Sequence, residues 1–261
     1  MNLIRSREGR EPVFNLPPVV SWMIAAFALV HIVRVFLLTP MQDAGVILTF
    51  SFIPLRYHAD LAGLDFPGGQ GAEFWTPVTY AFLHGDFMHL AVNSIWLTAF
   101  GSALAWRFGA MRFLAFSGLA AVAGAAAHYL AHSEDLVPVV GASGAISGHM
   151  AAVSRFMFQR GGPLRSMRRN PEMFQAPALP LIGVLTDRRV LAFLGIWLGL
   201  NLVFGLGGVT VSGEQAAIAW EAHVGGFLFG LIAFSWFDPV RPSQPTDLET
   251  TDPTDAPTPL D

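Results

Sequence analysis

The sequence predicts an all-α polytopic membrane protein, and three observations carry that prediction. Hydrophobic residues make up 53% of the 261 and charged ones only 13%, with a mean hydropathy of +0.49. Ordinary soluble domains hold about a quarter charged residues. The apolar residues gather into stretches near the ~20 residues that cross ~30 Å of hydrocarbon. The basic residues, all of them arginine, fall almost entirely on one side of the spans so defined.

Six spans are predicted: Pro18–Leu38, Phe87–Trp106, Met111–Ala131, Ala142–Phe158, Val190–Phe204 and Ala216–Phe237. The first follows Arg5, Arg7 and Arg10, but it is too long for a signal-peptide core and has no small-residue cleavage site after it, so it reads as a retained helix. Between spans one and two, Thr39 to Asp86 is too long for a connector and too oily for a solvent loop. It reads as a structured lateral loop partly in lipid. Spans four and five are short for a full crossing at about 1.5 Å per residue. Gln159–Arg189 is a basic, Pro-rich loop.

An even number of spans leaves both termini on one side. With the N-terminus cytoplasmic, thirteen of the fifteen arginines lie inside, and only Arg34 and Arg56 lie near the outside. The domain reading is then a cytoplasmic segment 1–17, a six-helix domain 18–237 and a disordered, Pro/Thr/Asp-rich cytoplasmic tail 238–261. Arginine without lysine, with heavy Ala and Gly use, suggests a bacterial inner (cytoplasmic) membrane. The net charge of −4 gives no case for a nucleic-acid partner. Zero cysteines exclude disulfides, thiolate metal sites and a cysteine nucleophile.

Polar groups inside spans are costly and mark cavities or pathways. Span four opens Gly141-Ala142-Ser143-Gly144 and continues with Ser147 and Gly148. Its small residues at i+4 spacing fit close helix packing, and Ser143 is a candidate nucleophile. Span six holds His223, with Gly226 and Gly230 on the same face three and seven residues on, where a neighbouring backbone can approach. Both spans run outside to inside, so pairing them brings Ser143 beside His223, the minimum for acyl transfer. No acid is evidently placed to orient His223, and a dyad is expected. His89 and Asn93, four apart at the outer end of span two, share a face and are candidate oxyanion donors. His84 joins them only from the preceding loop.

Metal and cofactor chemistry is not expected. HExxH is absent, and His128 and His132, although four apart, lack a third ligand of clear position. Asp86, Glu134, Asp135 and Glu221 sit at span ends and read as solvated. "GASGAISG" also departs from the soluble-hydrolase elbow, with Ala145 at its last glycine.

"HGDFMHLAVN" in span two, "GASG" at the head of span four and "AHVGGFLFG" in span six occur in the order and at the helix ends in which this chain resembles the rhomboid family of intramembrane serine proteases. The resemblance covers roughly Pro18 to Phe237. It implies Ser143 as nucleophile and His223 as general base. His89, Asn93 and the Ser143 N–H would be oxyanion donors, and His84 a supporting residue. It implies a water-filled cavity open to the outer face and substrate entry from lipid past span five and the loop "GLGGVTVSGEQ". Its partners would be the bilayer and transmembrane-helix proteins with easily unwound segments and small residues at the cut. Two positions differ from the family's habit: Thr76 follows Trp75 where arginine is common, and Ser147 stands where an aromatic ring often backs the histidine. The alternative is a non-catalytic rhomboid-like protein that binds and escorts transmembrane helices.

Overall fold

The computed structural model describes residues 16–58, 66–165, 171–206 and 219–240. Every regular element among them is helical; the one extended pairing is a lone antiparallel bridge between Phe52 and Val139. The N-terminal segment through residue 15, the tail from residue 241 and the loop 207–218 lie outside the described residues, and so does the start of the sixth predicted span.

Helix α1 (Pro18–Leu37) opens on a proline, whose fixed φ suits the first helical position. Thr39 and Gln42 then form a capping box that starts α2 (Pro40–Phe50). Arg34 joins the two: its Nε lies 2.7 Å from Asp43 Oδ1, and its Nη1 donates to the His84 carbonyl at 2.9 Å. The sequence places Arg34 near the outer surface, yet it is buried, because Asp43 and that carbonyl satisfy its charge and donors.

The segment after α2 is structured. A 3₁₀ turn (Pro54–Tyr57) leads on to α3 (Ala72–Thr79). Three donors close the C-terminal carbonyls of α2: the Arg56 guanidinium to Leu48, Trp75 Nε1 to Thr49 at 3.0 Å and Thr79 Oγ1 to Phe50 at 2.7 Å. Thr76, buried where the family often has arginine, lies 2.6 Å from the Tyr57 hydroxyl.

The second span runs Phe87–Phe108 without a break, as α4 (Phe87–Trp96), one π-helical turn (Leu97–Gly101) and α5 (Ser102–Phe108). Asp86, read from sequence as solvated, caps it by accepting from the His89 N–H at 2.8 Å. Next come α6 (Ala110–Ala131), α7 (Ser143–Met157), the one-turn α8 (Leu181–Val184), α9 (Arg188–Leu206) and α10 (Trp220–Phe237).

Among the described residues three helices are long and apolar enough to cross a membrane: Pro18–Leu37, Phe87–Phe108 and Ala110–Ala131. Helix α7 has only 15 residues, Arg188 and Arg189 lie at the start of α9, and Glu221 and His223 lower the apolarity of α10.

Helix α7 is the centre of the bundle, with every residue from Gly144 to Met157 buried. Its neighbour α10 lies against it backbone to backbone. A Cβ on Gly226 would overlap the Gly144 carbonyl, and one on Gly230 the Gly148 carbonyl. On its other side α10 meets α6, where a Cβ on Gly225 would strike the Ala123 carbonyl and the Ala127 side chain. Small residues thus wedge α10 between α6 and α7. At the opposite end from Ser143, Arg107 is fully buried: it pairs with Asp238 through two contacts of 2.8 Å and donates to the Phe174 and Ala176 carbonyls. Arg155 donates to Leu179 O. Part of the loop expected to be a plain basic connector is therefore pinned beneath the bundle by buried arginines.

Candidate active site

Ser143 is the first residue of α7, where N–H groups have no intrahelical partner and point out of the helix end. The chain that reaches it is extended and fastened from the side. Phe52 and Val139 exchange two backbone hydrogen bonds, and the Gly141 N–H donates to the Tyr80 carbonyl at 3.0 Å. These bonds satisfy the non-helical backbone of Val139 and Gly141 just ahead of the helix.

His223 lies in the first turn of α10 rather than two turns in, because the helix begins at Trp220. Its Nε2 is 2.7 Å from Ser143 Oγ. The contact at Gly226 sets this distance, since it lets the α10 backbone touch α7 one turn further on. On the far side of the ring, Nδ1 is 2.6 Å from Asn201 Oδ1 on α9. The Asn201 amide donates Nδ2–H to the Trp197 carbonyl at 2.9 Å, which turns its oxygen to the histidine. An oxygen acceptor there requires the proton on Nδ1. Nε2 is then the acceptor facing the Ser143 hydroxyl, the tautomer a general base needs.

Asn201 is the site residue that the sequence reading missed. It lies mid-helix in "GIWLGLNLVFGL", and a lone amide among apolar residues in a span is itself a signal. One turn along, Trp197 stacks on Phe227 with ring centroids 4.2 Å apart, so two paired contacts hold α9 antiparallel against α10. Ser147, at the position where the family often has an aromatic ring, donates to the Ser143 carbonyl at 2.8 Å. Support for His223 comes from the side chain of Asn201 instead.

His89 and Asn93 lie together against the backbone of Gly141, two residues ahead of Ser143. A Cβ on Gly141 would collide with His89 Nε2 and come within 3.7 Å of Asn93 Nδ2. Gly141 also has φ +116°, a conformation side-chain-bearing residues avoid, so glycine is needed there twice over. The Gly85 N–H donates to His89 Nδ1 at 3.4 Å, which leaves Nε2 as the N–H that faces Gly141. Asn93 is buried and its Nδ2 donates to the His89 carbonyl at 3.0 Å. His84, fully buried, packs its ring edge-on to His89 at 5.2 Å and lies 5.2 Å from Phe27. The histidine thus comes from the loop, as support beneath His89.

Gly144 is needed for the same wedge that seats His223: a Cβ there would come within 3.0 Å of the Tyr80 hydroxyl and 3.3 Å of the Ala222 carbonyl. The arrangement can therefore present a hydroxyl to a base of fixed tautomer, beside two side-chain N–H donors and a helix N-terminus. Those are the parts of an acyl-transfer site.

RHOMBOID-like protein 5 of Arabidopsis thaliana is 36% identical over 84 residues, 32% of this chain and 27% of that protein. The chain therefore spans well under two thirds of that relative. Residues 71–237 match the Rhomboid domain, a stretch that holds every site residue from His84 to Gly230, and with its apolar helices the chain is an integral membrane protein that belongs to the rhomboid family.

Proposed function

We propose that this protein is an intramembrane serine endopeptidase that cleaves transmembrane segments of other membrane proteins. The observation that carries the reading is the 2.7 Å contact of Ser143 Oγ with His223 Nε2, backed by Asn201 on Nδ1.

In this reading Ser143 Oγ attacks the scissile carbonyl carbon while His223 Nε2 takes its proton. The oxyanion accepts hydrogen bonds from His89 Nε2, Asn93 Nδ2 and the N–H groups at the start of α7, donors typically worth about 2.7–4 kcal/mol each in such sites. When the C–N bond breaks, His223 returns the proton to the leaving amine, and an acyl group remains on Ser143. Water, deprotonated by His223, then releases it. Asn201 keeps Nδ1 protonated throughout and so is a positioning residue.

The surrounding architecture in this proposal is a six-span domain over 18–237, with α7, α9 and α10 as the spans that polar groups shorten or dilute. Both termini are cytoplasmic and the site opens to the outer face of a bacterial inner membrane, which the arginine distribution supports. Substrates are transmembrane helices that unwind readily and have small residues at the cut.

The test is cleavage of a transmembrane reporter by purified protein in liposomes, for wild type, Ser143→Ala and His223→Ala. Cutting by wild type alone supports the proposal. Equal cutting by the variants, or none by wild type over a panel of reporters that the wild type binds, replaces it with the helix-binding role.

A further inference from the structure

The three small-residue contacts of α10 with α6 have a consequence at the outer end of both helices. Gly225 packs on Ala123 and Ala127, and Gly124 on Ala222, so the next turn of α10 brings Glu221 level with the last turn of α6. There stand His128, in that last turn, and His132, the residue that ends the helix, with their rings 4.9 Å apart. Glu221 is the third group that the sequence leaves unplaced.

We propose that His128, His132 and Glu221 form a site for a late first-row divalent cation, Zn²⁺ in the first instance. One ligand atom from each of the three lies within 4.8 Å of the other two. Glu221 Oε1 is 2.9 Å from His132 Nε2, and Oε2 is 3.4 Å from His128 Nδ1. Two imidazoles and a carboxylate are a borderline donor set that suits Zn²⁺ better than Mg²⁺ or Ca²⁺, and three protein ligands leave a fourth position for water.

Two further observations point to a ligand rather than to a simple ion pair. His128 is more than nine-tenths buried, and its Nδ1, 3.4 Å from Glu221 Oε2, makes no hydrogen bond of good geometry although it faces the cluster. A buried ring nitrogen left with only so long a contact is poorly satisfied, and a cation between the two groups removes that cost. Second, the other nitrogen of the His132 ring, Nδ1, is 3.3 Å from Asp135 Oδ2. A carboxylate on the far nitrogen is the outer partner that fixes the tautomer of a metal-bound histidine and raises its basicity.

The site is distinct from the Ser143 centre, and the inference does not rest on the catalytic reading. It joins the end of α6 to the start of α10 two residues before His223, so an ion there would fasten the helix that holds that residue.

The test uses full-length protein in detergent, stripped with a chelator and titrated with Zn²⁺ by calorimetry and with Co²⁺ by visible absorption, alongside a thermal melt. The expected result is one saturable ion per chain, d–d bands of four-coordinate Co²⁺, and a higher melting temperature with metal. His128→Ala and Glu221→Gln should each weaken binding by at least 10- to 100-fold. Asp135→Asn should weaken it less, and Ser143→Ala should bind as wild type does. Absence of saturable binding to wild type, or equal binding by His128→Ala and Glu221→Gln, overturns the proposal. If a ligand variant fails to fold, the Co²⁺ spectrum of wild type decides: octahedral water-like bands count against the site.

Discussion

Asn201→Ala tests the chemistry where the structure is most explicit. The substitution removes the 2.6 Å contact with His223 Nδ1 and leaves α9 otherwise seated, since Trp197 still stacks on Phe227. The imidazole then has a half-buried N–H without a partner and is free to rotate or to adopt the other tautomer. An unsatisfied donor of this kind costs about 1–3 kcal/mol. If that cost falls on the reactive state, kcat drops by about 5- to 150-fold. The assay is steady-state cleavage of a transmembrane reporter in liposomes, with kcat and KM resolved and a melt to confirm folding. The loss should appear in kcat with KM little changed. Asn201→Asp should recover part of it, because an oxygen acceptor remains on His223. The reasoning fails if kcat stays within about twofold of wild type while KM rises. Asn201 would then contact substrate as part of α9 and have no part in orienting the histidine.

Two other substitutions address the frame. Gly226→Ala places a methyl on the Gly144 carbonyl, and backbone cannot swing aside as a side chain would; it should destabilise the protein by at least the ~1–3 kcal/mol typical of overpacking and abolish cleavage, read as a lower melting temperature and lost activity. Gly141→Ala should act more locally. Its Cβ displaces the His89 ring and its φ of +116° becomes strained, so kcat should fall by about 10²–10³-fold, the usual effect of losing one oxyanion donor, with substrate binding retained. An unchanged kcat would exclude His89 as a donor.

How much of this was legible in the sequence differs by residue, for physical reasons. Ser143 and His223 were legible because glycines three and seven residues beyond the histidine strip one face of α10, and a stripped face demands a close neighbour. The placing of His89 and Asn93, the candidate donors, together against Gly141 was legible from i+4 spacing. Asn201 was not found because α9 has no hydrophobic periodicity to reveal which side meets the bundle. A side chain's cost in lipid signals that it has a partner but not which partner. Glu221 was misread for a related reason. The start of α10 falls four residues later than the apolar pattern suggests, and that shift places His223 in the first turn and turns Glu221 toward α6. Periodicity gives the face of a helix well and its first residue poorly. The π-helical turn at Leu97–Gly101 leaves no mark in hydropathy at all.

The shortness of α7 shows how one legible fact can carry a site. Fifteen residues rise about 22 Å, less than the ~30 Å of hydrocarbon, so an end of such a helix lies below a membrane surface. That end needs its N–H groups satisfied, and the chain leading to it cannot be helical. The structure meets both demands with the same parts. The Phe52 bridge and the Tyr80 carbonyl satisfy the backbone on the way in, while His223, His89 and Asn93 surround the helix start. In the middle of an apolar bundle those polar groups would be a liability with water excluded. Their grouping around one serine at a helix N-terminus favours a wet pocket there, and under the proposed protease function water would be the second substrate.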